Sequence, residues 1–200
     1  VTWLHHHDEG RDRGMTDAEF HGERQSATNL KIFIAEQALP LWATIGWDSN
    51  AGGFIERLDR HGRPETETPR RVRVQARQIY CFATAAGLGW YPPGRELALN
   101  GLDYLIRKAR GVDGKPGYGH LLGPDGRLLN DLRDTYDHAF VLLALATAYR
   151  VTKDSQILGE INATMAFLEE NLRSPHGGYL EGIPATLPRR QNPHMHLFEA

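Results

Sequence analysis

Four groups of residues in this 200-residue chain have the types and spacing that chemistry needs. Asp131, Asp134 and Asp137 recur every three residues and are followed by His138. Paired carboxylates of this sort can serve as general acid and base in sugar hydrolysis. They can equally cap and charge the N-terminus of a helix beginning near Asp134, and capping is the better account for at least two of the three. The run Asn192-Pro193-His194-Met195-His196 reads as an N-cap followed by proline at the first helical position, which sets Asn192 and His196 near one face. His196 suits a proton carrier or hydrogen-bonding ligand near neutral pH. A His-x-His pair with no third ligand beside it is a poor metal site, so no metal is expected. Arg77 lies in an otherwise apolar helical stretch and, if buried, needs a partner. That partner is either a structural carboxylate such as Asp134 or Asp137, or a polar ligand in a central cavity. Arg70, Arg71 and Arg73 could attract a phosphate or carboxylate, or form a solvated loop.

The elements that must position these groups repeat. Three glycine–aromatic corners, Gly52-Gly53-Phe54, Gly117-Tyr118 and Gly177-Gly178-Tyr179, place their aromatic residues 64 and 61 apart. Each corner opens a short extended segment, and Gly123-Pro124-Asp125-Gly126 after the second marks a small hairpin. Between corners the pattern is helical. Leu30, Phe33, Ile34, Ala38, Leu41 and Trp42 form a stripe interrupted late by Pro40, and Ala98, Leu102, Leu105 and Ile106 form a second. Ile157, Leu158, Ile161, Met165, Leu168 and Leu172 form a third; all three describe outer, half-solvated helices. Residues 79–89 and 139–149 are apolar nearly all round, as in helices buried on every side, and they align at a shift of 61 that sets Arg77 against His138. The pattern predicts an all-α toroid of helical hairpins, an α/α barrel with small β-hairpins at its corners. Six units would need roughly 360 residues, so these three make about half a ring, with Ala200 a few residues into an inner helix.

Composition removes whole classes. Lys and Arg number 23 against 25 Asp and Glu, a net charge of −2, which offers no basic surface for nucleic acid or an anionic membrane. The single cysteine, Cys81, excludes a disulfide framework and a cysteine zinc site. The longest apolar run, 139–146, is far short of the ~20 residues that span a bilayer. Residues 1–14, with His5, His6 and His7, lack periodicity and read as a frayed tail or extension before a domain of residues 15–200. A cytoplasmic domain is the expectation.

The runs RVQARQIYCFATAAGLG (73–89), LRDTYDHAFVLLALA (132–146) and RRQNPHMHLFEA (189–200), with GWDSNAGGF (46–54), resemble the N-acylglucosamine 2-epimerase family over nearly everything from about residue 18 onward. The resemblance implies an (α/α)6 barrel that binds a small sugar in its central funnel. It implies epimerisation or aldose–ketose isomerisation by proton transfer at C2 through an enediol-type intermediate, with no cofactor. Residues matching Arg77, Tyr136, Asn192 and His196 bind the sugar in such enzymes, and the histidine assists ring opening. Asp137 and His138 are taken as framework. The family's two catalytic histidines fall in a second half that this chain does not include, so none is assigned here, the chain alone is expected to be inactive, and a homodimer is a guess for the full-length protein. Two rival readings remain: a glycoside hydrolase or lyase using Asp131, Asp134 or Asp137, and a helical-repeat binding module without chemistry.

Overall fold

The computed structural model describes residues 17–200; the expected tail at 1–14 lies outside the described residues. Its plan follows from the three corners. Gly52, Gly53, Gly117, Gly177 and Gly178 all hold positive φ, which a side chain would resist. Gly53 also has no room for one, since a Cβ would lie 2.5 Å from the Tyr104 ring. Each turn returns the chain so that the corner aromatic bridges a residue between it and the preceding outer helix: Trp47 with Phe54, Arg110 with Tyr118, Arg173 with Tyr179.

The outer helices are α1 (Asp17–Phe33) running on into α2 (Leu39–Thr44), then α4 (Gly94–Ala109) and α6 (Ser155–Phe167). The inner ones are α3 (Val72–Gly87), α5 (Thr135–Thr152) and α7 (Gln191–Glu199). Pro40 does not break the first helix as its position suggested. Residues Ile34–Ala38 widen into a π-helical turn, and the Leu39 N–H reaches back to the Ile34 carbonyl, so the missing proline N–H is absorbed. Two small sheets stitch unit to unit. β1 (Arg70–Arg71), β2 (Leu121–Leu122) and β3 (Leu128–Asn130) form one, with β2 and β3 the expected hairpin; β4 (Arg133–Asp134) pairs with β5 (Gly182–Ile183).

The core lies between inner and outer layers, where Ile79, Phe82, Ala83, Val141, Ala144 and Leu145 meet Phe54, Tyr104 and Leu105. Phe54 stacks on Phe82 at 5.5 Å. Helix α5 is buried on nearly every side, as its composition requires, but α3 is not: Arg77 and Cys81 are exposed in this chain. No described helix is long and apolar enough to cross a membrane.

The units are tied by devices at fixed positions. Two residues before each inner helix stands an arginine whose guanidinium donates to the carbonyl two residues before the corner aromatic. Arg70 reaches Gly52 O at 2.6 Å, Arg133 reaches Pro116 O at 2.9 Å and Arg189 reaches Gly177 O at 2.6 Å. Arg70 also pairs with Asp48 and Arg133 with Asp113, whereas Arg189 meets only the neutral Ser174 hydroxyl. At the fourth residue of each inner helix an acceptor takes the corner aromatic's N–H: Gln75 for Phe54 at 2.8 Å, His138 for Tyr118 at 3.0 Å and His194 for Tyr179 at 2.9 Å. The register between units one and two is therefore 63, the separation of Val72 from Thr135, and not 61. His138 corresponds to Gln75, and Arg77 corresponds to Phe140.

This explains the acidity of His138. Its Nε2 accepts from Tyr118 and its Nδ1 faces the Asp134 carbonyl at 2.8 Å, so both nitrogens are satisfied only in the neutral ring. Full burial pushes its pKa down to about 4. The unfolded chain binds this proton near pH 6.5 and the folded one does not, so stability is lost as pH falls from there toward 4. Between pH 7 and pH 5 this costs about 2 kcal/mol. His138→Gln keeps the acceptor that Gln75 supplies in unit one, and urea melts at the two pH values are expected to show that variant losing correspondingly less.

Candidate functional site

The inner helices present side chains at their second and sixth residues, one turn apart on the face opposite the outer layer. The second residues are Arg73, Tyr136 and Asn192; the sixth are Arg77, Phe140 and His196. Arg77, Tyr136 and Asn192 all line one cavity of about 470 Å³, together with Arg71, Arg73, His120, Leu132, Asp134, Arg190 and Pro193. Arg77 donates to the Tyr136 hydroxyl at 2.8 Å and lies over the Phe140 ring at 4.1 Å. His196 does not line that cavity. Its ring sits 5.1 Å from Tyr136 and 4.5 Å from Phe140, and Nδ1 meets Glu199 at 2.8 Å. Asn192 and His196 do share a helix face, but the helix begins earlier than expected: Arg190 is the N-cap, Gln191 the first residue, and Pro193 the third.

Neither expected carboxylate partners Arg77, which is exposed rather than buried. Asp134 caps α5, accepting from the N–H groups of Tyr136 at 2.7 Å and Asp137 at 3.1 Å. Burial, followed by the neighbouring Asp137 charge, raises its pKa. Asp137, in the first turn, is fully buried and accepts from Arg73 at 3.0 Å and from His120 Nδ1 at 2.6 Å. Asp131 pairs with Lys115 on the exterior, and this partner holds its carboxyl below the usual range. The three carboxylates are thus committed to three separate tasks, and they do not assemble the acid–base pair a hydrolase would use.

The arginine cluster is neither a free anion trap nor a solvated loop. Arg70 is buried in its corner clasp, Arg71 pairs with Glu56, and Arg73 pairs with Asp137. Arg190, across the cavity, pairs with Glu181. Arg77 is the one cavity arginine without a carboxylate partner among the described residues. His120 was not singled out by sequence reasoning. Its signal was its place two residues beyond the corner aromatic, where the other units carry Glu56 and Glu181. Among the described residues no cluster of three His, Cys, Asp or Glu side chains could hold a metal ion.

Comparison with known proteins gives a consistent picture. Residues 53–200 match the sequence profile of the family described as N-acylglucosamine 2-epimerase. A protein named mannose-6-phosphate isomerase from Rhizobium meliloti (strain 1021) is 42% identical over 178 residues, covering 87% of this chain and 45% of that protein. The structure superposes on cellobiose 2-epimerase from Spirochaeta thermophila DSM 6192 with a TM-score of 0.81 at 25% identity, covering 90% of this chain and 48% of that one. A D-mannose isomerase structure matches with a TM-score of 0.74 at 26% identity, covering 86% and 44%. The three hairpin units thus correspond to half of an (α/α)6 barrel, and the chain spans about half the length of the relatives it matches.

Proposed function

Because this chain belongs to the N-acylglucosamine 2-epimerase family, we propose that its cavity binds an open-chain aldose and forms the binding half of a C2 epimerase or aldose–ketose isomerase. The observation that carries this reading is the convergence of Arg77, Tyr136 and Asn192 on one cavity at the inner face. A base removes the C2 proton of the open-chain sugar, and the resulting enediol-type intermediate is reprotonated at C2 to give the epimer or at C1 to give the ketose. The Arg77 guanidinium, held by Tyr136, is suited to stabilise the negative charge that develops on the carbonyl oxygen. The proton carriers at carbon belong to the part of the relatives' length that this chain does not span.

The charge pattern favours an uncharged sugar. Three of the four arginines lining the cavity already answer to Glu56, Asp137 and Glu181, leaving Arg77 as the one arginine for substrate. Incubation of the full-length gene product with D-mannose, D-glucose or N-acetylmannosamine in heavy water is expected to place deuterium at C2 of at least one of them. D-mannose is expected to exceed mannose 6-phosphate in kcat/KM by about tenfold or more, about 1.4 kcal/mol. The 200-residue chain by itself is expected to leave C2 unlabelled. No label from the full-length protein with any aldose overturns the reading.

A further inference from the structure

The middle unit departs from its neighbours at a residue that lines the cavity. Two residues past the corner aromatic, units one and three carry buried glutamates that are fully occupied. Glu56 takes the Arg71 N–H at 2.9 Å and its guanidinium; Glu181 takes the Arg190 N–H and its guanidinium at 2.7 Å. Unit two carries His120 at that place, and its helix cap is Asp134 rather than an arginine. His120 therefore has no arginine to hold. Departures from an otherwise consistent repeat concentrate where function demands them.

The two ring nitrogens have different surroundings. Nδ1 meets the fully buried Asp137 at 2.6 Å, and Arg73 holds the other Asp137 oxygen at 3.0 Å, which fixes the ring. Nε2 has no protein partner among the described residues, and the ring lines the cavity shared with Arg77, Tyr136 and Asn192. The charged ring donates through Nε2, and the neutral ring, its Nδ1–H kept on Asp137, accepts there. A sugar hydroxyl answers either form. A phosphate is disfavoured, because Asp134 lines the same cavity and Asp137 stands behind the ring. Arg71 and Arg190 on this side are matched to Glu56 and Glu181.

The height of the histidine in the cavity bears on which part of a sugar it meets. Its carbonyl accepts from the N–H of Val72, the first residue of α3, and its own N–H donates to Asn130 O, both at 3.0 Å. Arg77 leaves α3 five residues later, about 7.5 Å further along the axis. His120 thus enters from the corner end of the cavity, while Arg77 enters from deeper in the ring. An aldose that sets its reacting oxygens on Arg77 and runs toward the corner brings its far end to His120. We propose that His120 is a specificity-determining residue whose Nε2 hydrogen-bonds the C6 hydroxyl of the bound aldose, with no proton transfer assigned to it. This rests on the reading above that the cavity holds an aldose. Asp137 supports the role: its hydrogen bond raises the pKa of His120, against partial burial and the Arg73 charge, so the stronger, charged donor is favoured.

A ratio of substrates tests this. The full-length gene product is expected to label 6-deoxy-D-mannose at C2 with a kcat/KM about ten- to a hundredfold below that of D-mannose, the effect of one hydrogen bond to a charged group. In His120→Asn, whose amide serves Asp137 in place of Nδ1 but leaves nothing at Nε2, the two sugars are expected to become nearly equal. In His120→Gln, whose amide reaches the place of Nε2, part of the preference is expected to remain. A histidine that only supports Asp137 predicts the opposite order, with the asparagine variant unchanged and the glutamine variant unstable to urea. A parent indifferent to the C6 hydroxyl, or an asparagine variant that keeps the full preference, overturns the proposal. If the parent labels no aldose at C2, the epimerase reading fails, and calorimetric Kd values for 1,5-anhydro-D-mannitol and its 6-deoxy form decide His120 separately. A 6-deoxy penalty that vanishes in His120→Asn keeps the assignment; no penalty, or no binding, removes it.

Discussion

Replacing Arg133 with methionine is expected to destabilise the protein by about 1.5–3 kcal/mol, the cost of taking a buried charged donor away from its acceptors. The Arg133 side chain is 4% exposed and donates to Asp113 through both terminal nitrogens, and to the carbonyls of Pro116, Lys115 and Asp131. Methionine fills most of the space but takes the donor from all three carbonyls and leaves Asp113 only the Lys115 N–H. Arg189 holds the equivalent place in unit three, yet it is exposed and its side-chain partner is the neutral Ser174. Arg189→Met is therefore expected to cost less than about 1 kcal/mol. Urea midpoints at constant slope distinguish the two. The double variant Arg133→Met with Asp113→Asn is expected to recover part of the loss, because no lone charge then remains. Equal midpoint shifts for Arg133→Met and Arg189→Met would refute the assignment of the clasp as a buried charge device.

Arg77→Lys is expected to do the opposite, with stability unchanged within about 0.5 kcal/mol and kcat/KM for C2 labelling down about a hundredfold. The guanidinium is exposed, so its removal leaves no buried acceptor stranded. Its placement, however, depends on shape. It lies flat over Phe140 at 4.1 Å while donating to the Tyr136 hydroxyl at 2.8 Å, and an ammonium neither stacks as a plane nor offers two parallel donors. Deuterium labelling kinetics and urea melts of the same preparations check both halves. A variant that keeps its rate but loses stability would make Arg77 a packing residue.

The two substitutions also mark how far the sequence could be read. The corners were legible because positive φ leaves glycine as the residue of choice, and a glycine pair before an aromatic is seldom accidental. The body of α5 was legible because a helix buried all round must be apolar all round. Helix α3 starts seven residues before its apolar stretch at Ile79, since its first two turns carry Arg73, Gln75 and Arg77 to the cavity and the corner. Those polar residues obscured the start, and with it the register. At the register of 61 Arg77 fell opposite His138; only the corner hydrogen bonds show that Gln75 and His138 do the same work. The clasp pairs, 22 positions apart in Arg70–Asp48 and 20 in Arg133–Asp113, carry no periodicity at all. Asn192 was expected as the cap, but Glu181 takes the Arg190 N–H and the helix starts two residues sooner.

The seams between units bear on how the chain is made. β1 of the first unit finds its partner only in β2 of the second, and the Val72 N–H at the start of α3 waits for the carbonyl of His120. On a ribosome, α3 emerges some 50 residues ahead of that strand, a lag of roughly 3–10 s at ordinary elongation rates. During that interval the edge at Arg70–Arg71 is unpaired, and two adjacent arginines are the kind of residue that discourages it from pairing with another chain. The cavity wall at His120 is then completed by synthesis itself, with each newly emerging corner locking the helix that came before it.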